Sequence, residues 1–197
     1  EASVSDAENS VDHSINDATP AGRGWMTRPD WRFMLSHPAH WFALGFGSGL
    51  SRIAPGTAGT LWAWVSFLVM QLWLTHTQIG VVIVVSLALG WWACAVTAQH
   101  LGRADPGNIV WDEVVAFWLV LWVFTPAGFS EQAAAFVLFR FFDAVKPGPV
   151  GWADALFHGI DVDSERWPWA KAGWGIMLDD LVAAGCTLLV IAVWRAW

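Results

Sequence analysis

The chain has 197 residues, 56% of them hydrophobic, with a mean hydropathy of +0.46 and a formal net charge of −7. That is more apolar than an ordinary soluble domain, where about 45–50% is usual, and seventeen Trp with no Tyr suit a protein whose indoles sit at membrane–water interfaces. Ten basic residues, spread singly along a net-acidic chain, exclude nucleic acid as a partner, because phosphate backbones are neutralised by clustered Lys and Arg.

Residues 1–22 are polar, acidic and free of aromatics, a composition that does not offset the entropy of ordering and predicts a disordered tail. Next, Arg23, Arg28 and Arg32 alternate with Trp25, Trp31 and Phe33, a basic aromatic pattern suited to an anionic membrane face. These two stretches make one region, residues 1–35, and residues 36–197 make a membrane domain.

Within that domain, apolar runs fall at about 58–74, 79–98, 109–126, 131–145 and 175–194. A helix needs about 20 such residues to cross ~30 Å of hydrocarbon. The first two meet this standard, and the third stays apolar until Pro126. The fourth is short and carries Arg140 and Asp143, so it reads as re-entrant or amphipathic; the fifth is long enough and has two aspartates near its start. The expectation is an all-α, polytopic membrane protein with about four to five membrane-embedded helices. Cys94 and Cys186 lie inside apolar runs without Cys-x-x-Cys spacing and read as small core residues. The histidines have no metal-pair spacing, and their default environment is solvated or interfacial.

With five crossings, Arg23, Arg28, Arg32, Arg52, Arg103, Lys146, Arg166 and Lys171 fall on one side, and only Arg195 on the other. The positive-inside rule makes the basic side cytoplasmic. Runs one, three and five then begin on that side, near Thr57, Asn108 and Gly175, and their unpaired amides offer an anion site. Asp112 and Glu113 in the third helix, and Asp179 and Asp180 in the fifth, are expected about one turn inside, at one depth.

A first-turn acid gains about 0.3–1 kcal/mol from the helix dipole. A charge inside a span costs about 2.5–3.5 kcal/mol at the centre and less near the interface, and adjacent acidic pairs repel. A shared divalent cation relieves both costs, and an all-carboxylate donor set suits Mg²⁺. Arg140, Asp143 and Lys146 are spaced to share one helix face. They form either an internal ion pair whose ends snorkel to the interface, or two phosphate clamps, Arg140 and Lys146, with Asp143 as metal ligand or acid/base.

The stretch FGSGLSRIAPGT at 46–57 fails both nucleotide fingerprints on spacing. A glycine-rich stretch beside a membrane helix is usually a packing surface or turn, though its amides with Ser48, Ser51 and Arg52 offer an anion nest.

Five motifs in order, GFGSGLSRIAPGTAGT at 45–60, DPGNIVWDE at 105–113, FRFFDAVKPGPV at 139–150, His158-Gly159 and GIMLDDLVAA at 175–184, resemble the phosphatidylglycerophosphatase A family. The resemblance implies a Mg²⁺-dependent phosphomonoesterase of the bacterial inner membrane, active at the cytoplasmic ends of its helices, converting phosphatidylglycerophosphate to phosphatidylglycerol. By position it implies Asp112, Glu113, Asp143, Asp179 and Asp180 as the catalytic set, with Asp112, Glu113, Asp179 and Asp180 as metal ligands. Ser48, Thr57, Arg140 and Lys146 become the phosphate contacts. The acidic tail and residues 160–172 are additions to the family pattern, and Arg52 stands where the family often has a small or apolar residue. The alternative from another class is a small transporter or cation-binding membrane protein using the same carboxylates.

Overall fold

In the computed structural model, residues 28–156 and 168–197 are described, and among them there are helices and turns but no strand. The disordered tail expected over 1–22, together with Arg23, Trp25, His158 and Arg166, lies outside the described residues. The helices are α1 (Trp31–Ser36), α2 (Pro38–Ala43), α3 (Pro55–Trp73), α4 (His76–Leu101), α5 (Trp111–Phe124), α6 (Phe129–Val145), α7 (Pro149–Ala155) and α8 (Pro168–Ala196), with a 3-10 segment at Gly45–Leu50. Each of the five predicted apolar runs lies on one of α3, α4, α5, α6 and α8.

Helix ends follow local chemistry. Asp30 caps α1 by accepting from the Phe33 amide at 2.8 Å, and Pro55 opens α3 at a position where its missing N–H costs nothing. A reciprocal Thr75–Gln78 capping box starts α4, which stops at Gly102 in the left-handed region.

Two helices, α4 with 26 residues and α8 with 29, are long and apolar enough to cross a membrane, and they pack against each other. Between α3, α4, α6 and α8 lies α5. Its 14 residues extend only ~21 Å, short of the ~30 Å of a hydrocarbon core. It is instead the centre of the apolar core: Val114, Val115, Ala116, Phe117 and Val120 are fully buried, as befits a helix apolar on all sides. Two indoles fix it in place. Trp111 Nε1–H donates to Ser86 O at 3.1 Å on α4, and Trp118 Nε1–H donates to Ala63 O at 2.9 Å on α3, so each buried Trp satisfies its one polar atom.

Two expectations are corrected. Gly175 is not a helix start, because α8 begins at Pro168 and runs through Gly173 and Gly175 without a break. The reason is packing: a Cβ at Gly173 would lie 2.8 Å from Trp91 O and 3.0 Å from Ala95 Cβ, so the glycine lets α8 close onto α4. Trp91 Nε1–H also donates to Ala170 O at 3.0 Å, pinning the first turn. Secondly, His40 is neither solvated nor interfacial but 2% exposed, stacked on Phe33 at 4.0 Å. Its Nδ1 lies 2.8 Å from Phe33 O, and since a carbonyl only accepts, Nδ1 carries the proton and Nε2 accepts from His100 Nδ1–H at 2.8 Å. Burial lowers the His40 pKa, against the opposing pull of the Phe33 carbonyl. Cys94 is buried and Cys186 half-buried, both free thiols, as core residues would be.

Two glycines on one helix give a paired test. Gly173→Ala drives a methyl into the α4 backbone and should cost about 1–3 kcal/mol of stability. Gly185→Ala meets no atom within 4 Å and should leave stability unchanged or raise it through helix propensity. Thermal unfolding of the two detergent-solubilised variants beside the parent measures the difference.

Candidate active site

Three helices bring charge to one place. The first turn of α5 carries Asp112 and Glu113; the C-terminal part of α6 carries Arg140 and, one turn on, Asp143, with Lys146 as its C-cap; Asp179 and Asp180 stand three turns into α8. The first turn of α3 packs against them. A Cβ at Gly56 would collide with the Glu113 carboxylate and lie 3.0 Å from Arg140 Nη1, and one at Gly59 would lie 3.0 Å from Glu113 Oε2. Only glycine lets α3 come this close.

Glu113, Asp143 and Asp180 form the tightest acidic group, each offering an oxygen within 4.8 Å of the others'. Asp143 thus stands in the trio, while Asp112 and Asp179 lie outside it. Arg140 Nη1 donates to Glu113 Oε1 at 3.1 Å and also to the Asp143 carboxylate, and lies 3.5 Å from Thr60 Oγ1. Thr60 gives its own proton to Gly56 O at 2.9 Å, so its lone pairs are the part available to Arg140. Lys146 Nζ donates to Asp179 Oδ2 at 2.6 Å and to the Asp154 carboxylate on α7.

Lys146 adopts φ 49°, ψ 50°, a left-handed conformation uncommon for a residue with a Cβ. The turn into Pro147-Gly148 requires it, and the ammonium group reaches α7 and α8 from there. Burial pulls the Lys146 pKa down, but the bonds from Asp154 and Asp179 outweigh it and raise the pKa above the usual lysine value. The group is a permanent cation.

The residues fit a divalent metal ion. Asp112 Oδ1, Glu113 Oε2, Asp179 Oδ1 and Asp180 Oδ2 are buried carboxylate oxygens with no hydrogen-bond partner among the described residues. Buried polar atoms are ordinarily paired, and one left unmatched costs several kcal/mol by order of magnitude. Four in one cluster, all hard oxygen donors, are the complement of a hard cation such as Mg²⁺.

The remaining predicted contacts are less central. Thr57 is half-buried in the first turn of α3, next to Gly56. Ser48 donates to Gly45 O at 2.8 Å and braces its own 3-10 turn, which Asn108 ties to the segment before α5 by donating to Gly49 O at 2.8 Å. Sequence reasoning missed Asp154 and Thr60. Thr60 sits one turn beyond Gly56, a spacing that places it on the same α3 face; Asp154 lies across the Pro-Gly-Pro turn from Lys146, where no periodicity links them.

Residues 41–195 match the family model described as Phosphatidylglycerophosphatase A. The chain belongs to that family. It is 38% identical over 157 residues to the phosphatidylglycerophosphatase A of Escherichia coli (strain K12), an alignment covering 77% of this chain and 80% of the relative. It is 34% identical over 172 residues to the phosphatidylglycerophosphatase A of Haemophilus influenzae, covering 84% and 94%. No solved structure matches. Membership of the phosphatidylglycerophosphatase A family makes the chain a phosphatase, and the cluster of carboxylates beside Arg140 and Lys146 is its candidate active site.

Arg140 is the cation nearest the trio, so its removal tests the electrostatics directly. In metal-free protein, Arg140→Gln should cost about 3 kcal/mol, the order found when one partner of a buried pair is lost. Addition of Mg²⁺ should recover part of that loss in a thermal unfolding measurement.

Proposed function

We propose that the protein hydrolyses the terminal phosphate of phosphatidylglycerophosphate to give phosphatidylglycerol and inorganic phosphate, a step in phospholipid biosynthesis, with Mg²⁺ held by Glu113, Asp143 and Asp180. The observation that carries this reading is the set of unpartnered buried carboxylate oxygens on Asp112, Glu113, Asp179 and Asp180, where Glu113 and Asp179 pair through their other oxygens with Arg140 and Lys146. Both relatives named above are phosphatidylglycerophosphatases.

Bound there, Mg²⁺ would neutralise charge on the transferring phosphoryl group and polarise its oxygens. Arg140 and Lys146 bind the nonbridging phosphate oxygens, the guanidinium through parallel N–H bonds and the ammonium as a point charge. Asp112 and Asp179 each keep an unpartnered buried oxygen, Oδ1, suited either to taking the proton of an attacking water or to attacking phosphorus directly. In the first route the P–O bond to glycerol breaks as water adds, and the proton taken from water passes to the departing glycerol oxygen. In the second an aspartyl phosphate forms as that bond breaks, the glycerol oxygen takes its proton from solvent, and a water then hydrolyses the aspartyl phosphate to release inorganic phosphate and restore the carboxylate. Asp179 and Asp180 are buried, and such exclusion of water strengthens each of these electrostatic contacts.

The protein lies, in this reading, in the bacterial inner membrane as a multi-pass helical bundle with the site at the cytoplasmic face. The separation of charge along α8 supports it. Arg195 pairs with Glu131 at 3.2 Å near the opposite end, 15 residues beyond Asp180, or roughly 22 Å along the helix axis. The acids gather at the other end, beside Arg140 and Lys146, where a transporter would spread its carboxylates along a path.

Asp180→Asn should reduce phosphate release from phosphatidylglycerophosphate by at least about a hundred-fold, with the far-ultraviolet dichroism of the parent retained. Chelation of divalent cations should abolish parent activity and Mg²⁺ should restore it. Near-parent turnover by Asp180→Asn, or by Asp179→Asn, would remove the site from consideration.

A further inference from the structure

A second polar cavity lies beside the carboxylate site. It has a volume of about 360 Å³ and is lined by Arg28, Asp30, Leu50, Ser51, Arg52 and Asn108. Its walls are the segments that lead directly into α3 and α5. Arg52 precedes Gly56 by four residues, so the two Cα atoms are at most ~14 Å apart, and Gly56 touches Glu113 and Arg140. Asn108 precedes the first turn of α5 by three residues and fixes the other wall through its bond to Gly49 O.

Among the described residues the charge of the cavity is not matched. Arg28 Nη1 donates to Arg52 O at 3.5 Å, bringing two guanidinium side chains onto one short loop, and neither makes an ion pair among the described residues. The one carboxylate in the lining, Asp30, is turned to the Phe33 amide as the cap of α1. Two guanidinium groups against one carboxylate leave a single positive charge, the complement of a phosphodiester monoanion rather than of a second phosphomonoester. The rim is apolar. Ile53, next to Arg52, is 97% exposed, and Trp31 is 58% exposed, so the loop presents its charge at the depth where an apolar neighbour enters lipid and a guanidinium stays among headgroups.

We infer that the cavity between Arg28 and Arg52 is a phosphodiester subsite, which holds the diester phosphate of an anionic phospholipid while the terminal phosphate occupies the carboxylate site. This rests on the reading of the protein as a phosphatidylglycerophosphate hydrolase. The diester belongs either to the substrate itself, whose two phosphates are joined by one glycerol, or to a neighbouring anionic lipid.

The test measures KM for phosphatidylglycerophosphate and the inhibition constant of phosphatidic acid, which has a terminal phosphate and no diester, for the parent, Arg28→Ala, Arg52→Ala and Arg52→Lys. The assays run in neutral detergent micelles with and without phosphatidylserine. Each alanine variant should raise KM about ten-fold, the effect of one lost charge-assisted contact, with kcat within two-fold and phosphatidic acid inhibition unchanged. Arg52→Lys should recover part of the loss. A rise in neutral micelles identifies the substrate's own diester, and a rise only with phosphatidylserine identifies a neighbouring lipid; either supports the subsite. An unchanged KM, or an equal weakening of phosphatidic acid, overturns it. A parent that releases no phosphate from phosphatidylglycerophosphate overturns the catalytic reading and this inference together, whereas parent turnover with unaffected variants overturns the inference alone.

Discussion

The contact between Arg140 and the carboxylates of Glu113 and Asp143 is the interaction on which the rest of the site depends. Five acids, Asp112, Glu113, Asp143, Asp179 and Asp180, converge at one end of an apolar helical core, where Arg140 pairs with Glu113 and Asp143 and Lys146 with Asp179. Removing charges from water costs several kcal/mol per ion by order of magnitude, and a pair recovers that cost only with good geometry. The two cations therefore act as structural ties as well as ligands. Arg140 joins α6 to α5 and α3, and Lys146 joins the end of α6 to α7 and α8.

Such a concentration of charge survives only on a rigid platform. A carboxylate free to turn toward water would relieve its repulsion by moving, and the cluster would dissolve. The platform here is α5, short and buried on every side, with Trp111 and Trp118 bonded to the backbones of its neighbours. Gly56 and Gly59 then set α3 directly against Glu113. The apolar core and the site are thus one construction, in which close packing holds the acids in mutual reach and fixes their rotamers.

Much of this was legible in the sequence because hydrophobic run length survives every detail of packing. The five apolar runs became five helices, and the acids and bases assigned to the site from motif positions do gather on adjacent turns. What failed depended on tertiary contact. Gly173 and Gly175 have the local signature of a helix start, but close packing of α8 on α4 outweighs a helix-propensity cost of about 1 kcal/mol per glycine. The third run has the hydropathy of a span, yet its helix is a core element only 14 residues long. Asp154 with Lys146, and the buried His40 with the exposed His100, join residues across turns or far apart in the chain, and no periodicity reports such a partnership.

The charge balance also constrains how a lipid phosphate gains entry. If ionised, these five acids outnumber Arg140 and Lys146, which Asp154 also shares, and a phosphomonoester brings up to two more negative charges. In a medium of low effective dielectric that repulsion exceeds what two hydrogen-bonding cations return. In the proposed reading a divalent cation would therefore be a condition of substrate binding in such a site and not only an aid to the chemical step. Arg140 faces the same arithmetic from the other side: while it neutralises Glu113 and Asp143 its N–H groups are engaged, and a cation taking over those carboxylates frees them for phosphate. In the proposed reading metal and substrate would then favour each other's binding through one guanidinium, which is the thermodynamic coupling expected when two ligands act on a shared group. A phosphate arriving alone meets carboxylates; a phosphate arriving after the cation meets a cation and a free guanidinium.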